Sequence, residues 1–463
     1  MRHLPRLLFR LLVTGLVLTT APAALAAASA ARPNIVLFLA DDLGYADLGC
    51  YGAKDIRTPA IDRLARDGLR FTHFYAGGTE CSPTRTSLLT GQHPQRAGGL
   101  ECAIGNGNVG RYDDAIRLRT THDLGLPASD ASLARMLKKA GYATALTGKW
   151  HLGYEDKFQP GAHGFDHAFY ALGGGMDYFH HTEDPPANLP VLRFNGQPVK
   201  RDGYFTELVT EEAVRFIAAP RDGPFFLYVP FTAPHTPYQG PGDKLSAPLP
   251  ADSPLWKQNN APPAVYAAMI ESMDTSVARI LAELERRGLA GHTLVIFTSD
   301  NGGTRSARPA GLRDIKGTTF EGGIRVPGIV RWPGVLAAGT VSPVPGITMD
   351  LTASIVGAAR AAAPAGHRFD GVDLLADLAA GRPDPVRPLY WRARRGESNW
   401  AAVRDGTLKY VRRTVRDATT VEGLFDLAAD SAEAHDLLAT RTADAARLRS
   451  LLAEWEVAVR PVR

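Results

Sequence analysis

Four short apolar runs, Ile35–Leu39, Ala143–Leu146, Phe225–Val229 and Leu294–Thr298, each lead within a few residues into a cluster of polar, chemistry-bearing side chains. Apolar runs of this length, rich in β-branched and aromatic residues, read as buried strands. Helical patterns lie between them. Ser129 or Asp130 is expected to cap a helix carrying Leu133, Met136 and Leu137, with Gly141 just past its end. Ile270, Met273, Val277, Ile280, Leu281 and Leu284 recur at helical spacing on one face of a second helix. Strands alternating with helices predict an α/β fold with a large mixed, mostly parallel sheet sandwiched by helices. In such sheets ligands bind beyond the carboxyl ends of the strands. The polar clusters at those ends are therefore candidates for one shared site.

A chain of 463 residues is too long for one ordinary core. Residues 358–388, rich in Ala, Gly, Pro and Asp, read as a connection. Beyond them come the strand-like runs Leu389-Tyr390-Trp391, Trp400–Arg404 and Leu408–Arg412, then a helix with Leu448, Leu451, Leu452, Trp455 and Val459 on one side. The expected organisation is a catalytic α/β domain over 27–385 and a smaller C-terminal α+β domain over 386–463, a short antiparallel sheet plus a helix.

Residues 1–26 read as a signal peptide: Arg2, Arg6 and Arg10, the apolar run Leu11–Leu18, then Ala24-Leu25-Ala26. The protein is expected to be exported, periplasmic or secreted. No later run is long and apolar enough to cross a bilayer, so no stable membrane anchor is expected. The formal charge of +4 falls to +1 without that leader, which leaves 49 basic against 48 acidic residues. A near-neutral chain has no general attraction for nucleic acid, and no nucleic-acid partner is expected. Of the three cysteines, Cys50 and Cys102 either pair or stay as thiols, and Cys81 stands apart.

Asp41-Asp42 follows the first strand-like run. Adjacent carboxylates repel unless a cation sits between them, and oxygen ligands of this kind suit Ca²⁺ or Mg²⁺. Ser299-Asp300-Asn301-Gly302 follows the last run and adds a carboxylate and an amide oxygen, though Asp-Asn-Gly also makes ordinary turns. Lys149-Trp150-His151 follows Ala143–Leu146; in extended chain, residues two apart share a side, so Lys149 and His151 would face one ligand. Ala233-Pro234-His235-Thr236-Pro237 follows Phe225–Val229, its prolines stiffening the loop around His235. Lys316, beside Gly317, precedes Glu321-Gly322-Gly323 and is placed to approach an anion. The most specific run is Cys81-Ser82-Pro83-Thr84-Arg85, continuing to Gly91. Pro83 suits a first helical turn and Gly91 a helix end. Cys81 and Arg85 then stack on one face, four residues apart. Free N–H groups at a helix start favour sulfate or phosphate.

This ordered set resembles the type I, formylglycine-dependent sulfatases of the alkaline-phosphatase-like superfamily, over nearly the whole chain after the leader. The tail run Leu424-Phe425-Asp426-Leu427, followed by Asp430, Glu433 and Asp436-Leu437, also looks like the family's C-terminal pattern. Thr84 departs from the serine common at that position. The resemblance implies that a maturation enzyme oxidises Cys81 to formylglycine. It implies that Asp41, Asp42, Asp300, Asn301 and the modified Cys81 hold one divalent cation, Ca²⁺ first and Mg²⁺ second. Arg85 would orient the aldehyde hydrate, Lys149 and Lys316 bind the sulfate oxygens, His151 act as base, and His235, with Lys316, protonate the leaving oxygen. One hydrate oxygen would attack sulfur and release the alcohol; the second hydroxyl would then lose its proton and expel sulfate, restoring the aldehyde.

The segment Gly173-Gly174-Gly175-Met176-Asp177-Tyr178-Phe179-His180-His181 is similar to a patch in carbohydrate sulfatases, including N-acetylgalactosamine-4-sulfatase-like members. Asp177, His180 and His181 are candidate sugar contacts, or incidental polar groups of a glycine-rich loop. Arg305, Arg308 and Arg313 either read an acidic glycan or form a solvated basic loop. The expected reaction is sulfate monoester hydrolysis on a sulfated carbohydrate or aryl sulfate. The alternatives are a phosphonate or phosphate ester hydrolase of the same superfamily, and a non-catalytic glycan-binding protein whose Cys81 is never converted.

Overall fold

All four apolar runs are strands of one sheet, and each extends a little beyond the run that marks it: Asn34–Ala40, Ala143–Lys149, Phe225–Pro230 and Thr293–Ser299. The computed structural model describes residues 32–105, 113–183, 185–243, 246–384 and 386–460. The leader expected over residues 1–26 lies outside them. From Arg32 onward the chain forms one unit.

Five parallel strands occupy the centre of the sheet, in the order Thr293–Ser299, Asn34–Ala40, Phe225–Pro230, Ala143–Lys149 and His167–Ala171. Antiparallel strands extend it on both sides: Arg325–Arg331 beside Thr293–Ser299, and Leu192–Phe194 beside His167–Ala171. Leu69–Tyr75 follows Arg325–Arg331 antiparallel and pairs parallel with Thr340–Ser342. Every residue of Asn34–Ala40 and of Thr293–Ser299 is buried. That is the pattern of strands covered on both faces, and it explains why they appear as unbroken apolar runs. Helices Phe205–Ala218 and Pro263–Arg286 bury the faces carrying Val209, Phe216, Met273 and Ile280. The second confirms the periodicity read from 270–284.

The helix expected after Ser129 or Asp130 starts later, at Leu133, and runs to Lys139. Ser129 Oγ instead accepts from Ala131 N at 3.1 Å, and Asp130 pairs with Arg135 and Lys139. Ser132 stands at the cap position but donates to the His163 carbonyl at 3.0 Å, so neither expected residue caps the helix.

Beyond residue 388 a separate antiparallel sheet runs in simple order through Leu389–Arg395, Ser398–Asp405, Leu408–Val415 and Ala418–Asp426. Side chains alternate across it. Ala401, Val403 and Tyr410 face Leu448, Leu452 and Trp455 of the helix Thr442–Ala458. Ala402, Val411, Trp391 and Phe425 face Tyr75, Phe320 and Ile347 of the larger layer. Burying each such large apolar side chain contributes about 1.5–3 kcal/mol, so the second sheet is fastened to the first along a continuous apolar face. No helix among the described residues is long and apolar enough to cross a membrane.

Candidate active site

The helix announced by the Cys81 run spans Cys81–Thr90, with Cys81 as its first residue and Gly91 closing it at φ +68°. All ten of its residues are buried, including six that carry hydroxyl or guanidinium groups. All of those groups but the Thr86 hydroxyl find partners: Ser82 Oγ donates to the His151 carbonyl at 2.9 Å and Thr84 Oγ1 to the Gly78 carbonyl at 3.2 Å. The helix is therefore held by polar bonds rather than by an apolar stripe. Arg85, one turn after Cys81, donates Nε and Nη2 to Asp300 Oδ2 at 3.1 and 2.8 Å, and Nη1 to the Lys149 carbonyl at 3.1 Å. It ties the helix start to two strand ends.

Around Cys81 Sγ stand Asp41 Oδ1 at 3.2 Å, Lys316 Nζ at 3.5 Å and Lys149 Nζ at 3.6 Å. Lys149 also pairs with Asp41, and Lys316 with Asp42 Oδ1 at 2.6 Å. Asp42 accepts from Asn301 Nδ2 at 2.7 Å, and its backbone N–H donates to Asp300 Oδ1 at 3.3 Å. The sheet thus brings Asp41, Asp42, Cys81, Arg85, Lys149, Asp300, Asn301 and Lys316 into one buried cluster. Gly302 is what lets the last motif enter it: a Cβ there would lie 2.0 Å from the Gly322 carbonyl oxygen.

Asp41, Asp42, Cys81 and His235 each offer a ligand atom, all within 4.8 Å of one another. The donors fit a divalent cation. Asp42 Oδ2 and Asn301 Oδ1 are buried acceptors with no hydrogen-bond donor. Leaving a buried acceptor unpaired costs about 1–3 kcal/mol, a cost that a bound cation would remove. Both Asp42 and His151 sit at positive φ, 64° and 59°, a left-handed state that Asp and His adopt more readily than most residues.

His151 therefore does not continue the extended strand, contrary to the alternation expected of Lys149 and His151. The chain turns after Lys149, and the His151 ring bonds through Nε2 to the Ile104 carbonyl, which leaves Nδ1 buried and unprotonated. Both histidines still reach the cavity that opens over Cys81. His235 Nδ1 donates to its neighbour's carbonyl, Thr236 O, at 2.6 Å, so its Nε2 is the nitrogen that faces Asp42 Oδ2 at 3.6 Å.

Burial shifts several proton equilibria here. The Cys81 thiol is pushed well above its ordinary range by burial and by Asp300 and Asp41. Burial, with Lys149 and Lys316, drives His235 down to about 3 against the pull of Asp42. His151 is lowered by burial, Lys149 and Arg85. Burial opposes the charge on Lys316, but Asp42, Cys81 and Asp41 overcome it and raise its pKa. Asp300 is raised by burial and by Asp41, whereas Asp42 is lowered because Lys316 and His235 outweigh its burial.

The cavity over Cys81 measures about 350 Å³ and is also lined by Ile104, Tyr154, Glu183, Gln258 and Arg395. Sequence reading missed these five, because none belongs to a local motif: Tyr154 and Glu183 lie just past the motifs at 149–151 and 173–181, and Ile104, Gln258 and Arg395 come from elsewhere in the chain. From the glycine-rich segment the cavity takes Gly174 and Gly175. Asp177, His180 and His181 stand behind it. Asp177 accepts from the backbone N–H groups of Phe179, His180 and Leu249 at 2.8–2.9 Å, and His180 Nδ1 lies 3.1 Å from the same carboxylate. His181 Nε2 donates to the Gly203 carbonyl at 3.1 Å. These residues shape the loop that presents the two glycines. Of the basic loop, Arg308 pairs with Asp47 and Asp55, and Arg313 lies over the Phe320 ring. Cys50, Cys81 and Cys102 are all free thiols.

Residues 33–361 match the family model described as Sulfatase. The chain is 35% identical over 388 residues to N-acetylgalactosamine-6-sulfatase of Mus musculus, covering 79% of this chain and 70% of that one. It is 33% identical over 466 residues to arylsulfatase A of Bos taurus, covering 89% and 84%. Its fold superposes on the crystal structure of Ps i-CgsB in complex with k-i-k-neocarrahexaose with a TM-score of 0.76 and 30% identity, covering 92% of both chains. With the ordered motifs converging on one buried cluster, these likenesses show that the chain belongs to the sulfatase family of sulfuric ester hydrolases, on the alkaline-phosphatase-like fold.

Proposed function

We propose that this sulfatase removes sulfate from a sulfated carbohydrate, and that its working residue 81 is formylglycine made from Cys81 by a maturation enzyme of the host. The observation that carries the reading is the setting of Cys81 Sγ, first in its helix, within 3.6 Å of two lysines and one aspartate, under an open cavity. An unmodified thiol suits this place poorly. A nucleophilic cysteine needs a lowered pKa, whereas burial and two neighbouring carboxylates raise this one. The carbohydrate reading rests on the cavity's polar lining and on the sugar-directed names of the similar proteins.

Asp41, Asp42, Asp300, Asn301 and residue 81 would hold the cation, with Ca²⁺ the best match to an all-oxygen donor set. Such an ion supplies Lewis-acid stabilisation of developing negative charge. Lys149 and Lys316 present two ammonium groups to the oxygens of the sulfate, where fixed positive charge stabilises the transition state more than the ground state. Arg85 keeps the helix start and Asp300 in register. His151, its Nε2 bound to Ile104, has only Nδ1 with which to accept a proton. His235, its Nδ1–H committed to Thr236, has only Nε2 to turn toward the departing oxygen, and the proton that oxygen takes comes from the ammonium of Lys316, whose pKa is raised. The leader over 1–26 fits export, which would bring the enzyme to extracellular glycans.

The test has two parts, both on protein from its native host. The mass of the peptide containing residue 81 should correspond to an aldehyde in place of the thiol. A screen across defined sulfated mono- and disaccharides, with 4-nitrophenyl sulfate, 4-nitrophenyl phosphate and a phosphonate monoester alongside, should show sulfate esters turned over fastest. An intact thiol in active enzyme would overturn the nucleophile. Preference for either phosphorus ester would overturn the substrate class.

A further inference from the structure

Arg395 is the residue through which the C-terminal sheet reaches the catalytic cavity. The strand Leu389–Arg395 explains how it gets there. Alternate residues share a face. Trp391 is buried on one face, with its indole Nε1 donating to the Ala76 carbonyl at 2.8 Å, and Ala393 is buried next along the same face. Arg395 continues that face to the cavity rim. Arg392 and Arg394 lie on the opposite face and both pair with Glu101.

One edge of the Arg395 guanidinium is fixed. Glu80, the residue before Cys81, is buried and accepts from Arg395 Nη2 at 3.0 Å and from the Ala103 backbone at 2.7 Å. The guanidinium has no other hydrogen-bond partner among the described residues, and the side chain remains 58% exposed. A guanidinium carries five N–H donors in a rigid fork matched to carboxylate and sulfate oxygens. Here one donor is anchored and the rest face open space at a substrate cavity. Lys149 and Lys316 already flank Cys81, so the scissile sulfate does not require Arg395. Glu183, also on the cavity wall, takes a hydrogen bond from Tyr154 at 3.2 Å. Its carboxylate suits sugar hydroxyls and repels a second anion, which leaves Arg395 as the wall where such an anion is favoured.

We propose that Arg395 is a specificity-determining residue that receives a second anionic group, a carboxylate or another sulfate, carried by the alcohol part of the substrate. The preferred substrate is then an acidic saccharide rather than a neutral sugar with one sulfate. The proposal rests on the sulfatase reading above. Activity of the unsubstituted enzyme on 4-nitrophenyl sulfate checks that reading first and separately.

The experiment compares kcat/KM of the mature enzyme and its Arg395→Gln variant on four substrates. These are 4-nitrophenyl sulfate, a neutral monosulfated sugar, a monosulfated disaccharide containing a uronate, and a disulfated disaccharide. A charge-assisted hydrogen bond of about 1.5–3 kcal/mol corresponds to roughly tenfold to a hundredfold. The ratio of acidic-substrate to 4-nitrophenyl sulfate activity should fall by that factor in Arg395→Gln. It should be partly retained in Arg395→Lys, which keeps the charge but loses the fork. Loss on the uronate substrate alone, or on the disulfated one alone, identifies the anion. An unchanged ratio on both acidic substrates overturns the proposal, and so does an equal loss on all four.

Discussion

The ammonium of Lys409 lies 2.9 Å from Glu321 Oε1, and both side chains are wholly inaccessible to solvent. Lys409 belongs to the C-terminal sheet, whereas Glu321 opens the short helix five residues after Lys316. Glu433 completes the contact: its Oε1 lies 2.9 Å from Lys409, and its Oε2 accepts from the Glu321 backbone at 2.6 Å. Tyr75 donates its hydroxyl to Glu321 at 2.9 Å from the large sheet. One buried cation thus joins both sheets to the segment that carries Lys316. Removing one partner of a buried ion pair costs about 3–5 kcal/mol, because the charges left behind stay buried. Lys409→Met is expected to lose stability on that scale, read as a lowered urea midpoint at unchanged slope. Turnover should fall with it as the Lys316 segment loosens.

Acid should weaken the fold through two buried histidines that are not members of the cation cluster. Burial pushes His93 and His163 each down to about 4. The His93 ring packs edge-on to Trp455 at 5.0 Å, and His163 lies against Trp150 at 5.1 Å. An unfolded histidine titrates near 6.5. Between those values the unfolded chain takes up protons that the native protein refuses, so stability is present above about 6.5 and is lost as pH falls toward about 4. Linkage gives about 2 kcal/mol per histidine between about pH 7 and about pH 5. Urea midpoints at the two pH values measure the loss, and His93→Phe, which keeps an aromatic ring against Trp455, should reduce it. An undiminished loss in that variant would place the acid sensitivity elsewhere.

The strands were legible because each is covered on both faces, and burial of that kind writes itself as an unbroken apolar run. The cluster was legible for a related reason: the parallel sheet gathers its strand ends, so Asp41, Lys149, His235 and Asp300 are neighbours although far apart in sequence. Two things were not. A turn stabilised by a carbonyl from elsewhere, as Ile104 stabilises His151, has no local pattern and overrode the strand alternation expected after Lys149. The rest of the cavity wall is tertiary in origin. Glu183 and Arg395 look like ordinary surface charges until the folded chain brings them beside Cys81, while Asp177 looks like a ligand until its oxygens are seen to be occupied by backbone N–H groups.

Removal of the cation should separate activity from folding. Asp41 already pairs with Lys149, and Asp42 with Lys316, so the carboxylates keep partners when no ion is bound. Dialysis against EDTA is expected to abolish hydrolysis of 4-nitrophenyl sulfate while leaving the far-ultraviolet circular dichroism unchanged, and added Ca²⁺ should restore activity. Ligand binding to the native state raises the melting temperature by mass action, so Ca²⁺ titrated into the stripped protein should also raise it. Full activity after exhaustive chelation would contradict the assignment of Asp41, Asp42, Asp300 and Asn301 as ligands.

The role of His235 should appear as a dependence on the leaving group. Its Nδ1–H is held by Thr236 O, and only Nε2 faces the cavity cluster. A sugar alkoxide leaves poorly unless it is protonated as it departs, whereas 4-nitrophenolate is stable enough to leave unaided. General acid catalysis, here from the Lys316 ammonium, contributes about 10²–10⁴-fold where it is needed, and His235 Nε2 turns toward the oxygen that takes the proton. His235→Ala should therefore lower kcat on a sulfated saccharide by at most a factor in that range and lower kcat on 4-nitrophenyl sulfate far less. Because His235 also lies 3.6 Å from Asp42 Oδ2, its loss could instead act through the cation, and that alternative has a distinct outcome. A cation effect would reduce both substrates alike and be relieved by excess Ca²⁺. A role at the departing oxygen leaves the aryl ester nearly intact and is not rescued by Ca²⁺.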